Sequence, residues 1–164
     1  MKDCALAIVL DSRNEAVLLV QRRDLPVWVL PGGGIDDDES PERAVVREVF
    51  EETGLHVVIS RKTAEYLPIN RLTSRVHVFI CETRGGQLST GAESRQVGFF
   101  PLDCLPKPFF PYHSEWLKEG MGSCQPICRP MSRKTFLRIL FLYAFHPLIA
   151  SRYLFSKMGY PINS

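Results

Sequence analysis

Beyond Glu119 the 164-residue sequence has no acidic residue, although Arg129, Arg133, Lys134, Arg138, Arg152 and Lys157 all lie there. That segment carries +6 on a chain whose formal charge is +2, so the residues before it carry −4. Taken whole, the chain is no polyanion binder, and no specific nucleic-acid partner is expected. The asymmetry marks the C-terminal part as an extension with its own job or partner. Also lacking is an uncharged apolar run of about 20 residues, the length that spans a bilayer. The stretch 133–158 comes nearest, but Arg138, His146, Pro147 and Arg152 interrupt it. Two short helices docked on the rest of the chain or on a second subunit are expected there. A basic, apolar helix lying on an anionic membrane surface is the lesser alternative.

Disulfides are not expected. Cys4, Cys81, Cys104, Cys124 and Cys128 form an odd, scattered set, which reads as reduced thiols and a cytoplasmic location. Cys124 and Cys128, with His113 the nearest histidine, lack the second pair that a tetrahedral zinc site wants. There is no signal-peptide architecture ahead of the first apolar run, and no internal repeat. What remains is an ordinary globular composition, 45% hydrophobic, enough for one core.

Along the chain, CALAIVL at 4–10 and AVLLV at 16–20 flank a polar turn, the pattern of a hairpin with mostly buried strands. Residues 27–30 make a third strand, ended by Pro31 and the run Gly32, Gly33 and Gly34. Ser40 is a natural N-cap and Pro41 a natural first residue for a helix that ends at Thr53, with Gly54 as its stop. Strands are expected at 55–60, 64–69, 75–83 and 97–100, and a second helix at 111–119. The segment 121–132 reads as a linker, dividing a domain at 1–120 from a basic apolar helical tail at 133–164. Strands with helices among them imply an α/β fold, a mixed sheet packed between helices.

The stretch that carries chemistry is GGIDDDESPERAVVREVFEETGL, residues 33–55. Helical neighbours at i, i+3 and i+4 share a face, so Glu48, Glu51 and Glu52 project together within about one turn. Like charges stacked this way cost a few tenths of a kcal/mol per pair. Oxygen donors gathered at one spot are what Mg²⁺ or Mn²⁺ needs. Arg47 is placed to orient a carboxylate of the same helix, with Glu39 as a second partner. Asp36, Asp37 and Asp38 add charge that the helix N-terminus favours.

Written as G-x5-E-x7-R-E-U-x-E-E-x-G-U, with U a bulky apolar residue, these positions resemble the Nudix box throughout: Gly33, Glu39, Arg47, Glu48, Val49, Glu51, Glu52, Gly54 and Leu55. The resemblance extends more loosely over about 4–119 and not into the tail. It implies a Nudix-type α/β/α sandwich and a Mg²⁺-dependent hydrolase that cleaves a phosphoanhydride bond in a nucleoside-diphosphate-linked substrate or a nucleoside triphosphate. It further implies Glu51 and Glu52 as metal ligands, Glu48 as ligand or base, and the carbonyl of Gly32 as an added ligand. Glu93, ahead of a late strand, is the other candidate base. Arg22 and Arg23 end the second strand and are suited to phosphate; alternation lets only one of them face a cleft. Arg75 and His77 read as exposed on a half-solvated strand, and Trp28, Tyr66 and Phe99 as core. The alternative to hydrolysis is an inactive Nudix-fold nucleotide-binding or regulatory module. Which nucleotide is bound and whether the chain forms a homodimer are open at this level.

Overall fold

Ala5 to Val9 and Val17 to Val20 are buried without a gap, and strands hidden on both faces need cover on both. The computed structural model describes residues 2–145, and side chains as far as 141. In it the chain runs β1 Cys4–Leu10, β2 Ala16–Arg22, β3 Trp28–Val29, β4 Gly32–Gly34, α1 Pro41–Thr53, β5 Leu55–Leu67 and β6 Val76–Gly86. There follow β7 Ser94–Pro101, α2 Pro111–Gly122, β8 Ile127–Pro130 and α3 Arg133–Phe145. The strands form one sheet ordered β3-β2-β1-β6-β5-β8, with β4 paired to β1 and β7 to β2. The pairs β1–β6 and β5–β8 are parallel and the others antiparallel. The expected mixed sheet between helices is therefore present.

Alternate side chains divide between two cores. Leu6, Ile8, Val17 and Leu19 face Tyr112, Trp116 and Leu117 of α2 and Ile139 of α3. Ala5, Ala7, Val9 and Leu18 face Ala44, Val45 and Val49 of α1. Helix α1 forms where expected. Ser40 Oγ accepts from the Arg43 N–H, Pro41 follows, and Gly54 closes the helix at φ 72°.

Several elements differ from the expectations. The glycine run is strand β4, in register with Cys4, Ala5 and Leu6. The strands expected at 55–60 and 64–69 are one strand, β5, over Leu55–Leu67, because it follows β6 through register shifts that break its alternation. The segment read as a linker holds the end of α2 and strand β8, and Met131 beyond it is buried in the core. His77 is buried, not exposed, beside Glu65 across the β5–β6 pair. Its Nδ1 lies 3.6 Å from Glu65 Oε2 and has no hydrogen-bond partner. Desolvation, chiefly, lowers its pKa. Trp28 and Tyr66 are core, as expected. The tail docks through α3, with Ile139 buried and Phe136 packed against the same core. The expectations for His146, Pro147, Arg152 and Lys157 lie outside the described residues. Among the described residues no helix is long and apolar enough to cross a membrane.

A side chain at Gly54 would need a left-handed backbone and would run into Ser89 and the carbonyl of Gln87. Gly54→Ala is expected to cost at least about 1 kcal/mol, read as a lower urea midpoint with an unchanged m-value; an unchanged midpoint would show that the helix end can relax away from the loop.

Candidate active site

The boxed helix and the glycine strand meet through Arg47. Its Nε and Nη2 donate to the two oxygens of Glu39 at 3.0 and 2.8 Å. Nη1 donates to Glu48 Oε1 at 2.8 Å and Glu51 Oε2 at 3.2 Å, and Nη2 also reaches the carbonyl of Gly34 at 3.1 Å. The guanidinium holds the Glu39 carboxyl down to about 2. Gly33 makes room for the next acid: a Cβ there would lie 2.6 Å from the Glu48 carboxyl atoms. Gly32, at φ 138°, would drive a Cβ into the carbonyl of Ala5, and its own N–H donates to Glu52 Oε2 at 2.9 Å.

Glu52 lies deepest. Burial is the main cause that pushes its carboxyl up to about 7; the Gly32 N–H and Arg22 work against this, Glu48 and Glu93 with it. Glu48 is also raised, first by burial and then by Glu51 and Glu93, against the pull of Arg47. Glu93 reaches the cluster on a loop that folds over the end of α1. Ser89 N and Gly91 N donate to the carbonyls of Thr53 and Glu52, and the buried Ser94 Oγ donates to Glu52 O as well.

Glu48, Glu51, Glu52 and Glu93 all line one cavity of about 950 Å³, together with Gly32 and Arg22. The two arginines part where β2 ends, Arg22 being its last residue and Arg23 the first beyond it. Arg22 lines the cavity, with Asp24 bonded at 2.8 and 2.6 Å. Arg23 is outside that lining; its N–H and Nε donate to Glu93 O and Ser94 O, so it braces the loop that carries Glu93. Glu39 does not line the cavity either and serves Arg47. Asp36 is exposed and bonded to Lys2 at 3.2 Å.

One lining residue was missed as a site residue. His113 on α2 accepts the Leu30 N–H at Nδ1 (2.9 Å), which assigns the ring proton to Nε2. Burial, with Arg22 assisting, drives its pKa down to about 3. A lone histidine on a helix gives no hint of this, because the bond depends on a peptide 83 residues away.

The donor set fits a hard divalent cation. Glu48, Glu51 and Glu52 each commit one oxygen to Arg47 or Gly32 and leave the other without a hydrogen bond. The half-buried member, Glu52, feels two acids, Glu48 and Glu93, against one cation, Arg22. Among the described residues no three His, Cys, Asp or Glu side chains already converge as a closed metal cluster. Arg47 accounts for this at Glu48 and Glu51, which it draws toward itself. Cys124 and Cys128 are exposed and unpaired thiols.

A NUDIX domain model matches residues 2–120. The chain is 33% identical over 124 residues to a putative 8-oxo-dGTP diphosphatase of Bacillus subtilis, covering 75% of this chain and 82% of that protein. It is 35% identical over 117 residues to an ADP-ribose pyrophosphatase of Methanocaldococcus jannaschii, covering 67% and 68%. The crystal structure of an ADP-ribose pyrophosphatase from Streptococcus suis superposes with a TM-score of 0.65 at 31% identity, over 79% of this chain and 98% of that one.

The raised carboxyl of Glu52 has a sign that stability measurements read. An acid whose folded pKa, about 7, exceeds its ordinary value of 4.5 loses stability for the fold as pH climbs between the two, by about 3 kcal/mol in all. His113, lowered from 6.5 to about 3, acts oppositely between those two values and overlaps the Glu52 range, so the difference between variants is the useful quantity. Glu52→Gln is expected to gain on the parent chain by that order between pH 4.5 and 7.5. Excess Mg²⁺ should narrow the gap above pH 7, where the acid is charged. Parallel melting temperatures across this range would remove the burial argument.

Proposed function

The chain belongs to the NUDIX family, and from that premise we propose that it is a divalent-metal-dependent pyrophosphohydrolase acting on a nucleoside-diphosphate-linked compound or a nucleoside triphosphate. Its relatives are named diphosphatases and pyrophosphatases, hydrolases of acid anhydrides. One observation carries the reading. Glu52 is half-buried beside Glu48 and Glu93, with Arg22 as the one cation acting on it, a backbone N–H as its hydrogen-bond donor and a carboxyl pushed up to about 7. Such an arrangement is costly unless a cation offsets it.

Glu51 and Glu52 would hold the metal, Mg²⁺ being the expected ion and Mn²⁺ a substitute, with Glu48 and the carbonyl of Gly32 as further ligands. Bound there, a divalent cation supplies positive charge to the diphosphate and a more acidic water. Arg47 orients Glu48 and Glu51, and Glu39 keeps Arg47 in place. Arg22, on the cavity wall, is suited to meet a phosphate oxygen by exchanging part of its pairing with Asp24. Glu48 or Glu93 takes the proton from water; each borders the cavity, and the loop bonds of Ser94 and Arg23 keep Glu93 there. Arg23 is accordingly a positioning residue for Glu93.

Product release from ADP-ribose, canonical and oxidised deoxynucleoside triphosphates and dinucleoside polyphosphates, assayed with Mg²⁺ or Mn²⁺, tests the reading. At least one substrate should turn over and EDTA should stop it. Glu52→Gln should lower kcat by at least about 100-fold with its far-ultraviolet circular dichroism unchanged. Nucleotide binding without any product would favour the non-hydrolytic module. Gly33→Ala, whose new methyl must displace the Glu48 carboxyl, should lose kcat by more than it raises KM; full activity would exclude Glu48 from the chemistry.

A further inference from the structure

The cavity continues well past the carboxylates, and its remaining wall is almost wholly apolar. Phe136, Ile139 and Leu140 of α3 line it, although α3 lies beyond the residues that the family model matches. Leu25, Val27 and Phe110 line it too. Among the described residues the lining side chains include no Ser, Thr, Asn, Gln or Tyr. Sugars and nucleobases are recognised by hydroxyl and amide partners that satisfy their own donors and acceptors; burying them against aliphatic carbon leaves those groups unpaired. Away from the acids and Arg22, the polar side-chain atoms on the lining are confined to the Cys4 thiol, the His113 imidazole and the Trp116 indole. The rim is apolar as well, with Leu72 67% and Leu140 44% exposed.

We propose that this apolar lobe, walled by α3, receives a hydrocarbon group carried on the substrate's diphosphate, so that the acids of α1 act at one part of the cavity while an alkyl or isoprenoid-like chain lies against Phe136, Ile139 and Leu140. The inference rests on the hydrolase reading of the carboxylate cluster and names the substrate class that this reading leaves open. The hydrocarbon can belong to a nucleoside diphosphate ester of an apolar alcohol or to a simple alkyl diphosphate. Both present the same chemistry to the lobe.

The test uses the full chain with Mg²⁺ and two homologous series, butyl to octyl: alkyl esters of ADP and alkyl diphosphates, with ADP-ribose as the polar comparison. Each buried methylene contributes about a fourfold gain in affinity, so KM should fall at least tenfold from butyl to octyl in one series. The octyl member should exceed ADP-ribose in kcat/KM. Leu140→Asp, at the exposed rim where the fold tolerates charge, and Phe136→Ser should bring the octyl-to-butyl ratio close to one. Better turnover of the ADP esters identifies the nucleotide-linked source, and better turnover of the alkyl diphosphates the free one; either supports the lobe. A KM indifferent to chain length, or ADP-ribose preferred over octyl members of both series, overturns the inference and leaves the hydrolase reading intact. No turnover of any probe, with a nucleoside triphosphate or dinucleoside polyphosphate still cleaved, overturns the inference; no turnover of those substrates either overturns the hydrolase reading instead. Calorimetric binding of octyl against butyl diphosphate then judges the lobe alone, and equal affinities would overturn it.

Discussion

Every donor of one guanidinium is used, and the site is assembled around that fact. Arg47 has five N–H groups in a planar fork, and five bonds leave it: two to Glu39, one each to Glu48 and Glu51, and one to the carbonyl of Gly34. Those acceptors come from α1, from the loop before it and from strand β4. No lysine could replace it, because a single ammonium cannot serve a bidentate carboxylate and three further acceptors at fixed angles. The same bonds decide the charge state. Arg47 keeps Glu39 ionised and pulls on Glu48, while Glu52, beyond its hydrogen-bonding reach, is the acid left to desolvation.

Holding Glu52 in that position requires that the end of α1 be closed, and its last turn contains no basic residue; Thr53 Oγ1 donates to the Val49 carbonyl at 2.6 Å, and the remaining carbonyls need partners from elsewhere. The loop preceding β7 supplies the donors, Ser89, Gly91 and Ser94, to carbonyls that helix ends leave free. Gly91 has no side chain because one would enter the backbone at Glu51 and Glu52. A loop fastened there brings Glu93 to the cavity as a consequence. Helix capping and the supply of a fourth acid are thus one structural device, and Arg23 secures it from the neighbouring strand.

What was legible in the sequence follows from how local each signal is. Helix α1 announces itself through Ser40, Pro41 and Gly54, whose effects reach no farther than a turn, and the acid spacing on it needs only helical periodicity. Strand β4 was not legible, because three glycines offer no side-chain alternation and become a strand only by pairing with β1. Strand β8 is similar: ICRP pairs with β5 beneath a Gly- and Pro-rich approach that reads as a linker. His77 and His113 escaped for a related reason. A histidine's burial depends on what the tertiary structure sets beside it, Glu65 in one case and the Leu30 peptide in the other. For Arg22 and Arg23 the expectation that only one faces a cleft did not decide which, because β2 ends at Arg22 after a register shift and Arg23 lies beyond it.

The cavity itself unites chemistries that usually exclude one another. Clustered carboxylates favour water, and a wall of Leu, Val, Ile and Phe expels it. Setting α3 over the same space lowers the local dielectric and strengthens every charge interaction inside, adding to the desolvation that chiefly lifts Glu52. An apolar wall beside an acidic cluster is therefore a cost to the fold, one that the proposed function would offset: a cation would answer the acids, and the carbon of the proposed substrate would cover the wall. On this view α3 is part of the site's energetics as well as its shape. Its apolar face, covering the part of the cavity farthest in sequence from the box, makes occupancy of both halves more favourable than occupancy of either one.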